Sequence, residues 1–364
     1  MASIDQTRPP ADRTAEGRID RTPEQAAAPS LMAAANRGGA VATAIVIAGL
    51  AAMPWVSESF FLYQMTQLLV YAIAILGLNM LTGISGQFSL GHGAFYGIGA
   101  YTAAILIERA GVHYALTLPV AGGLCFAIGF LFALPAHRLE GVHLALATFA
   151  LAVATPQILK LSLLEDLTGG VQGITVFPAT FETPVPFGLP LPSSVWTYYV
   201  VLVAGLLLYR AAQNIVDSRT GRALLAIRDN PIAARAMGVD LGLYKATAFG
   251  ISALITGVAG ALGAMVVKFV APDSFTFFLS ILLFVGLVVG GVGWLPGCLI
   301  GAAAIIFLPN FAEGISKGLS GAFYGLFLIL IIYLAPEGAG GLIRALRDRI
   351  KRSRRRPATR ERRS

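Results

Sequence analysis

The sequence predicts an all-α, polytopic integral membrane protein of about 10 transmembrane helices (roughly 8-10), with both termini cytoplasmic. Three observations lead there. Of the 364 residues, 56% are hydrophobic and 13% charged, against about 25% charged in a soluble domain. The charges are also clustered. Of 27 Lys and Arg, 5 lie in residues 1–38, 6 in 210–245 and 11 in 344–364, which leaves long charge-poor stretches suited to lipid. Finally, two polar loops differ in sign. Residues 163–195 hold Glu165, Asp166 and Glu182 and no Lys or Arg, whereas 210–245 hold Arg210, Arg219, Arg222, Arg228, Arg235 and Lys245. Lys and Arg stay on the cytoplasmic side, so the first loop is external and the second cytoplasmic. A single span between them makes the two assignments agree, and counting spans outward places both ends inside.

From the N-terminus, residues 1–38 contain 5 basic and 5 acidic residues with Pro, Ala and Thr, and no helical or strand period. They read as a disordered cytoplasmic tail. The first apolar run begins only after Arg37, so it reads as a retained span rather than a cleaved signal. Crossing a bilayer takes roughly 20 apolar residues. Candidate spans fall at 39–54, 60–81, 88–108, 114–134, 141–162, 196–210, 246–268, 278–292, 297–311 and 321–335, all within a transmembrane domain of residues 39–343. Loop 163–195 carries Thr168-Gly169-Gly170 and Pro178, Pro184, Pro186, Pro190 and Pro192, and reads as an ordered external cap with turns. Tail 344–364, with 11 basic and 2 acidic residues, reads as a cytoplasmic anchor for anionic lipid headgroups rather than a nucleic-acid arm. Cys125 and Cys298 lie in apolar runs and read as packing residues.

Loop 210–245 is too polar to span and too long for a tight turn. Ser218 or Thr220 is placed to cap a short helix, on which Ala223, Ala226 and Ile227 share one face. Asn230-Pro231 then breaks the chain, because proline disfavours helix in the residue before it. A second short helix runs from Ile232 to Met237 and ends at Gly238. Two short helices make a protruding element suited to docking a cytoplasmic partner, the alternative being a helix pair that lies on the membrane interface. A mere connector between spans needs no such element.

Segment 83–99 has 6 glycines, at 83, 86, 91, 93, 97 and 99, together with polar Ser85, Gln87, Ser89 and His92. Non-helical backbone at membrane depth is tolerated only where it is buried in protein or lines a wet cavity, and polar groups facing lipid are costly. Ser85, Gly86, Gln87, Ser89, Gly91, His92 and Gly93 are therefore candidate pathway residues. Gly93, Gly97 and Tyr101, spaced at helical intervals, equally suit close helix packing, and His92 taken alone suits a structural hydrogen bond. A second glycine run, Gly290-Gly291-Val292-Gly293-Trp294-Leu295-Pro296-Gly297, reads as a tight turn at the cytoplasmic end.

No G-x-x-x-x-G-K-[ST] occurs, and no lysine is followed by Ser or Thr, so the chain cannot build that phosphate-cradling loop. No cluster has metal-ligand spacing and no nucleophile–base pair stands out; catalytic and metal-binding residues are expected to be none. Lys160, Glu108, Arg109 and Lys268 sit near span ends, where they can snorkel to the interface. Little remains for a proton relay, so the energy for transport is expected to come from another subunit. A stand-alone secondary transporter or channel for small solutes is the alternative. A membrane enzyme or scaffold would require intramembrane catalytic groups.

Five ordered motifs carry a family resemblance over residues 60–340. Leu78-Asn79 with Gly83, Gly86, Ser89 and Gly91 is similar to an "LN…GxxGxxSxG" signature. Leu167-Thr168-Gly169-Gly170-Val171-Gln172-Gly173-Ile174 is similar to "LTGGxxGI", and Gly221-Arg222-Ala223-Leu224-Leu225-Ala226-Ile227-Arg228 through Ala233, Ala234 and Gly238 to "GRALxAIRxxxxAAxxxG". Pro272-Asp273-Ser274-Phe275 and Gly290-Gly291-Val292-Gly293 match two shorter signatures. On these motifs the chain resembles the permease subunits of branched-chain amino-acid ABC importers, LivM type. The resemblance implies a homologous second permease of LivH type, two cytoplasmic ABC ATPase subunits and a periplasmic solute-binding protein, in a bacterial inner membrane. It implies no directly bound cofactor, since ATP would be used by the partners, and no nucleic acid. It also implies a coupling role for Gly221, Arg222, Arg228, Asp229, Ala233, Ala234 and Gly238. The general importer motif E-A-A-x-x-x-G has Ile232 in place of its glutamate here. The solute stays open among branched-chain and other amino acids, urea, amides and small aromatic acids.

Overall fold

Apolar runs become helices because a chain without water must satisfy each backbone N–H and C=O internally. The computed structural model describes residues 46–55, 57–136, 139, 141–176 and 192–315, with scattered residues between 325 and 341. Tails 1–38 and 344–364, the proline-rich stretch 177–191 and most of candidate span 321–335 lie outside the described residues. The first apolar run is described as a short helix, α1 (Val46–Trp55). From Pro54 onward the chain forms one unit, which carries everything that follows.

In that unit α2 (Ser59–Leu78) runs directly into a π-helical turn, Asn79–Ile84, and an irregular stretch leads to α3 (His92–Glu108). Then come α4 (Tyr114–Ala136), α5 (Val142–Leu159) and a short helix α6 (Glu165–Thr168). A long α7 (Ser193–Asp217) is followed by α8 (Arg219–Asp229) and α9 (Pro231–Ala236). The final helices are α10 (Leu241–Val267), α11 (Phe277–Gly290) and α12 (Gly297–Ile315). Strands β1 (Ile174–Thr175) and β2 (Phe269–Val270) pair antiparallel, Ile174 opposite Val270.

Among the described residues five helices are long and apolar enough to cross a membrane: Ser59–Ile84, Tyr114–Ala136, Val142–Leu159, Ser193–Asp217 and Leu241–Val267. Shorter apolar helices include Phe277–Gly290 and Gly297–Phe311. The chain is therefore an all-α, multi-pass membrane protein. Its helices differ in burial. The apolar windows of α2 and α10 are 89% and 78% buried, against 28%, 28% and 17% for α4, α5 and α7. Hence α2 and α10 are the core, with α10 packed against α4, α3 and α2. The outer helices present Leu116, Val120, Leu131, Leu146, Val203 and Leu207 outward, an apolar surface that lipid or another subunit must cover. Small residues let the core backbones touch: a Cβ at Gly260 would strike the Tyr96 carbonyl, and one at Gly97 would lie 2.9 Å from Phe275 Cβ.

Three expected boundaries move. The span placed at 88–108 begins as helix at His92, because 85–91 is irregular around Gly86 at φ +73°. The span placed at 196–210 is the middle of α7, so Arg210 lies within a helix that outruns its apolar window. Since α10 starts at Leu241, Lys245 is helical too, and the polar loop contracts to residues 218–240. The cap is ordered where described. Gly169 is left-handed at φ +71°, Thr168 Oγ1 donates to the carbonyl of Leu159 at 2.8 Å, and Lys160 pairs with Asp273.

Candidate translocation and coupling site

The site is assembled around the π-helical turn. A π turn makes i→i+5 bonds and so widens the helix, and such turns recur at functional positions. Here three elements hold it. Asn79 Oδ1 accepts from the Gly293 amide at 2.8 Å while its Nδ2 donates to the Trp294 carbonyl at 3.2 Å, which bolts the turn to the α11–α12 connection. From α10, Ser252 Oγ donates to the Gly77 carbonyl at 2.6 Å. From α8, Arg228 Nη1 donates to the Gly83 carbonyl at 2.7 Å. At the end of the turn Leu81 O accepts from the Ser85 amide, the Ser85 hydroxyl and the Gln87 amide, at 3.2, 2.9 and 3.3 Å.

Beyond the turn a polar chain runs inward. The single proton of the Ser252 hydroxyl is given to Gly77, so toward His92 Nε2, 2.6 Å away, that oxygen must accept. The neutral ring then has Nδ1 left to accept from Ser89 Oγ at 3.1 Å. Ser89 in turn accepts from the Gly91 amide at 3.2 Å. This order fixes which nitrogen of His92 carries hydrogen. The first turn of α3 has orphan amides, and the Gly93 amide finds Ser280 Oγ of α11 at 2.8 Å. The Leu90 amide donates to Thr148 Oγ1 of α5 at 2.9 Å.

A cavity of about 200 Å³ opens between this segment and α8–α9, lined by Ser85, Gly86, Gln87, Phe88, Ile227, Arg228, Pro231 and Lys245 among others. Its walls mix two cations and an amide with apolar side chains. Gln87 is buried beside it, donating to Ser85 Oγ at 2.8 Å and to the Lys245 carbonyl at 3.1 Å.

Helix α8 is capped by Ser218, whose hydroxyl accepts from the Gly221 amide at 3.3 Å. Helix α9 is capped by Asn230, whose Oδ1 accepts from the Ile232 and Ala233 amides at 3.1 and 3.0 Å. Ile227, Ala234 and Leu241 form a small core that joins the pair to the start of α10. On the far side Ile232 and Met237 are 82% and 85% exposed.

A family model described as the permease component of the branched-chain amino acid transport system matches residues 60–333. The chain belongs to that family. Among curated proteins it is similar to the high-affinity branched-chain amino acid transport system permease protein LivM of Escherichia coli K12, 32% identical over 75% of this chain and 68% of that protein. It is also similar to a probable LivM of Methanocaldococcus jannaschii, 26% identical over 74% of this chain and 82% of the relative. LivH of Escherichia coli K12 is 26% identical over 74% and 91%. No solved structure matches.

In this branched-chain permease the candidate pathway residues divide. Ser85, Gly86 and Gln87 border the cavity, whereas Ser89, Gly91, His92 and Gly93 lie behind it, buried against α5, α10 and α11. The coupling candidates divide as well. Gly221 and Ala234 are buried; Arg222 donates to the Asp217 carbonyl at 3.0 Å; Asp229 accepts from Arg228 Nε at 3.2 Å; Ala233 and Gly238 are exposed, Gly238 at φ +84°. The buried face of α8 is Gly221, Leu224 and Ile227, while Ala223 is half-buried and Ala226 exposed. Leucine buries more apolar surface than alanine, and so sets the rotation of the helix. Asn79, Thr148, Ser252 and Ser280 escape the sequence reading as site residues. Their signal is nonetheless present, because each is an isolated polar residue within an apolar helix, where polarity is costly without a partner.

Proposed function

We propose that this permease is a transmembrane subunit of an ATP-binding-cassette importer that carries branched-chain amino acids, or closely related small polar solutes, across a bacterial inner membrane. Its family membership and its likeness to proteins named as branched-chain amino acid permeases support the substrate class. The observation that carries the ATP-driven reading is the helix pair α8–α9. One side of the pair is bound to the polar turn beside the cavity, and the other exposes Ile232 and Met237. Exposed apolar side chains on a polar loop need a protein surface to cover them, and in this reading two cytoplasmic ATPases supply it. A homologous second permease covers the apolar outer helices and completes the pathway between the subunits. A periplasmic binding protein delivers the solute, and the chain itself binds no cofactor.

In this topology about ten helices span the bilayer with both termini cytoplasmic. Residues 218–240 lie in the cytoplasm and the cap near β1 and β2 lies outside. Ser85, Gly86 and Gln87 line the path, and Ser89, Gly91, His92 and Gly93 brace it. ATP binding closes the ATPase pair, and α8–α9 passes that motion to the spans, alternating access to the path. Cysteines placed at Ile232 and at Val171 test the sidedness. In intact cells an impermeant maleimide is expected to label only the second, and labelling of the first would overturn the topology. Affinity purification from native membranes tests the assembly. It is expected to return a Walker-motif ATPase and a second permease with this chain, and a chain recovered alone yet active in uptake would favour a stand-alone transporter.

A further inference from the structure

We propose that Arg228 is a positioning residue of the transport cycle, transmitting displacement of α8 to the π-helical turn, rather than a contact for the ATPase. This deepens, and rests on, the importer reading above. The family resemblance assigns Arg228 a coupling role toward the ATPases. Its guanidinium is instead engaged within its own chain. Nη1 holds the Gly83 carbonyl at 2.7 Å, and Nε is oriented by Asp229 Oδ1 at 3.2 Å. Its stem lies across Gly86, where an added Cβ would sit 2.6 Å from Arg228 Cγ. The neighbouring Ile227 is packed in the α8–α9–α10 core, so the backbone that carries the arginine moves with that core.

The carbonyl it grips belongs to the π-helical turn, whose hydrogen-bond register is already displaced from α. Passing between π and α registers rotates every residue beyond the turn, which makes it a discrete two-position element rather than a spring. The same turn holds the α11–α12 connection through Asn79. Thr82 Oγ1 on this turn is buried with no partner among the described residues, so the present register leaves one polar group unsatisfied. Arg228 thus joins the loop, the cavity-lining segment 85–87 and the α11–α12 connection at one point.

The test uses the full complex in proteoliposomes, with L-leucine as tracer and ATP hydrolysis measured in parallel. Arg228→Met keeps the stem over Gly86 and removes the donor. It is expected to retain the ATPase subunits at wild-type stoichiometry and to hydrolyse ATP, while leucine moved per ATP falls about tenfold, a common size for coupling between sites. Arg228→Lys, whose amine can reach a carbonyl, is expected to recover part of that ratio. Gly86→Ala leaves the arginine present but displaces its stem, and is expected to lower the same ratio. Because Gly86 also borders the cavity, the double variant separates the two effects: in an Arg228→Met background Gly86→Ala is expected to lower the ratio no further, and an additive loss would overturn the proposal. An unchanged ratio in either variant, or loss of the ATPases from Arg228→Met in step with transport, overturns the proposal. A wild-type complex without ATP-driven uptake would instead overturn the importer reading itself.

Discussion

Residues 79–93 and residues 218–240 are both polar interruptions between apolar helices, yet they satisfy their polar and apolar groups in opposite ways. The first is closed on itself except at Thr82: Asn79, Ser85, Gln87, Ser89 and His92 are buried, and each has a partner within the chain. The second closes one face, through Leu224, Ile227 and Ala234, and leaves Ile232 and Met237 bare on the other. A region satisfied internally has its work inside the subunit, where precise backbone placement matters. A region left apolar on one side has its work at an interface. The two regions meet at Arg228, the side chain whose hydrogen bond to Gly83 joins loop to turn.

The comparison predicts that damage in the first region appears as lost folding and damage in the second as lost assembly. The largest effect is expected for Gly83→Val. A Cβ there would overlap Asn79 Oδ1 and lie 2.5 Å from the Gly293 amide nitrogen, and overpacking of this kind costs about 3 kcal/mol. The yield of monodisperse protein and the melting temperature in detergent measure it, and a wild-type melt would break the picture of a tightly fastened turn. Next is Ser252→Ala, which leaves the Gly77 carbonyl and the His92 Nε2 hydrogen buried without their partner. A cost of about 1–3 kcal/mol is expected, read as a lowered melting temperature.

In the second region Ile232→Lys and Met237→Lys are expected to leave the melt of the isolated permease within about 0.5 kcal/mol, as surface changes do. ATPase affinity in a binding titration is expected to fall about tenfold, the size of effect that follows when an interface loses an apolar anchor. If the melt falls and the affinity holds, the two regions have been assigned the wrong way round. The smallest effect is expected for Asn230→Ala, which removes the α9 cap at a cost of about 1 kcal/mol. Faster amide exchange confined to residues 231–237 would register it.

Much of this architecture is legible in the chain because apolar runs and helices are nearly the same thing in lipid. Nine of the ten expected spans correspond to described helices. The ends are less legible. Arg210 and Asp217 are polar yet belong to α7, because a helix continues past the point where its apolar window stops. Glycines and polar residues at 85–93 mark the right segment, but pattern alone gives lining and bracing residues the same appearance. The start of α9 reads in the sequence only as a proline break, although Asn230 accepts both capping bonds. Least legible is the direction of Arg228. Its partner lies 145 residues away, and helical periodicity carries no information about contacts at that separation.

The central claim is that this chain supplies the passage and obtains its power through α8–α9. The most direct measurement is L-leucine uptake into proteoliposomes holding both permeases and the binding protein, with and without the ATPase subunits, at fixed ATP and under imposed ion gradients. The account predicts accumulation against a gradient only when ATPases and ATP are both present. Accumulation driven by an ion gradient without the ATPases would contradict it.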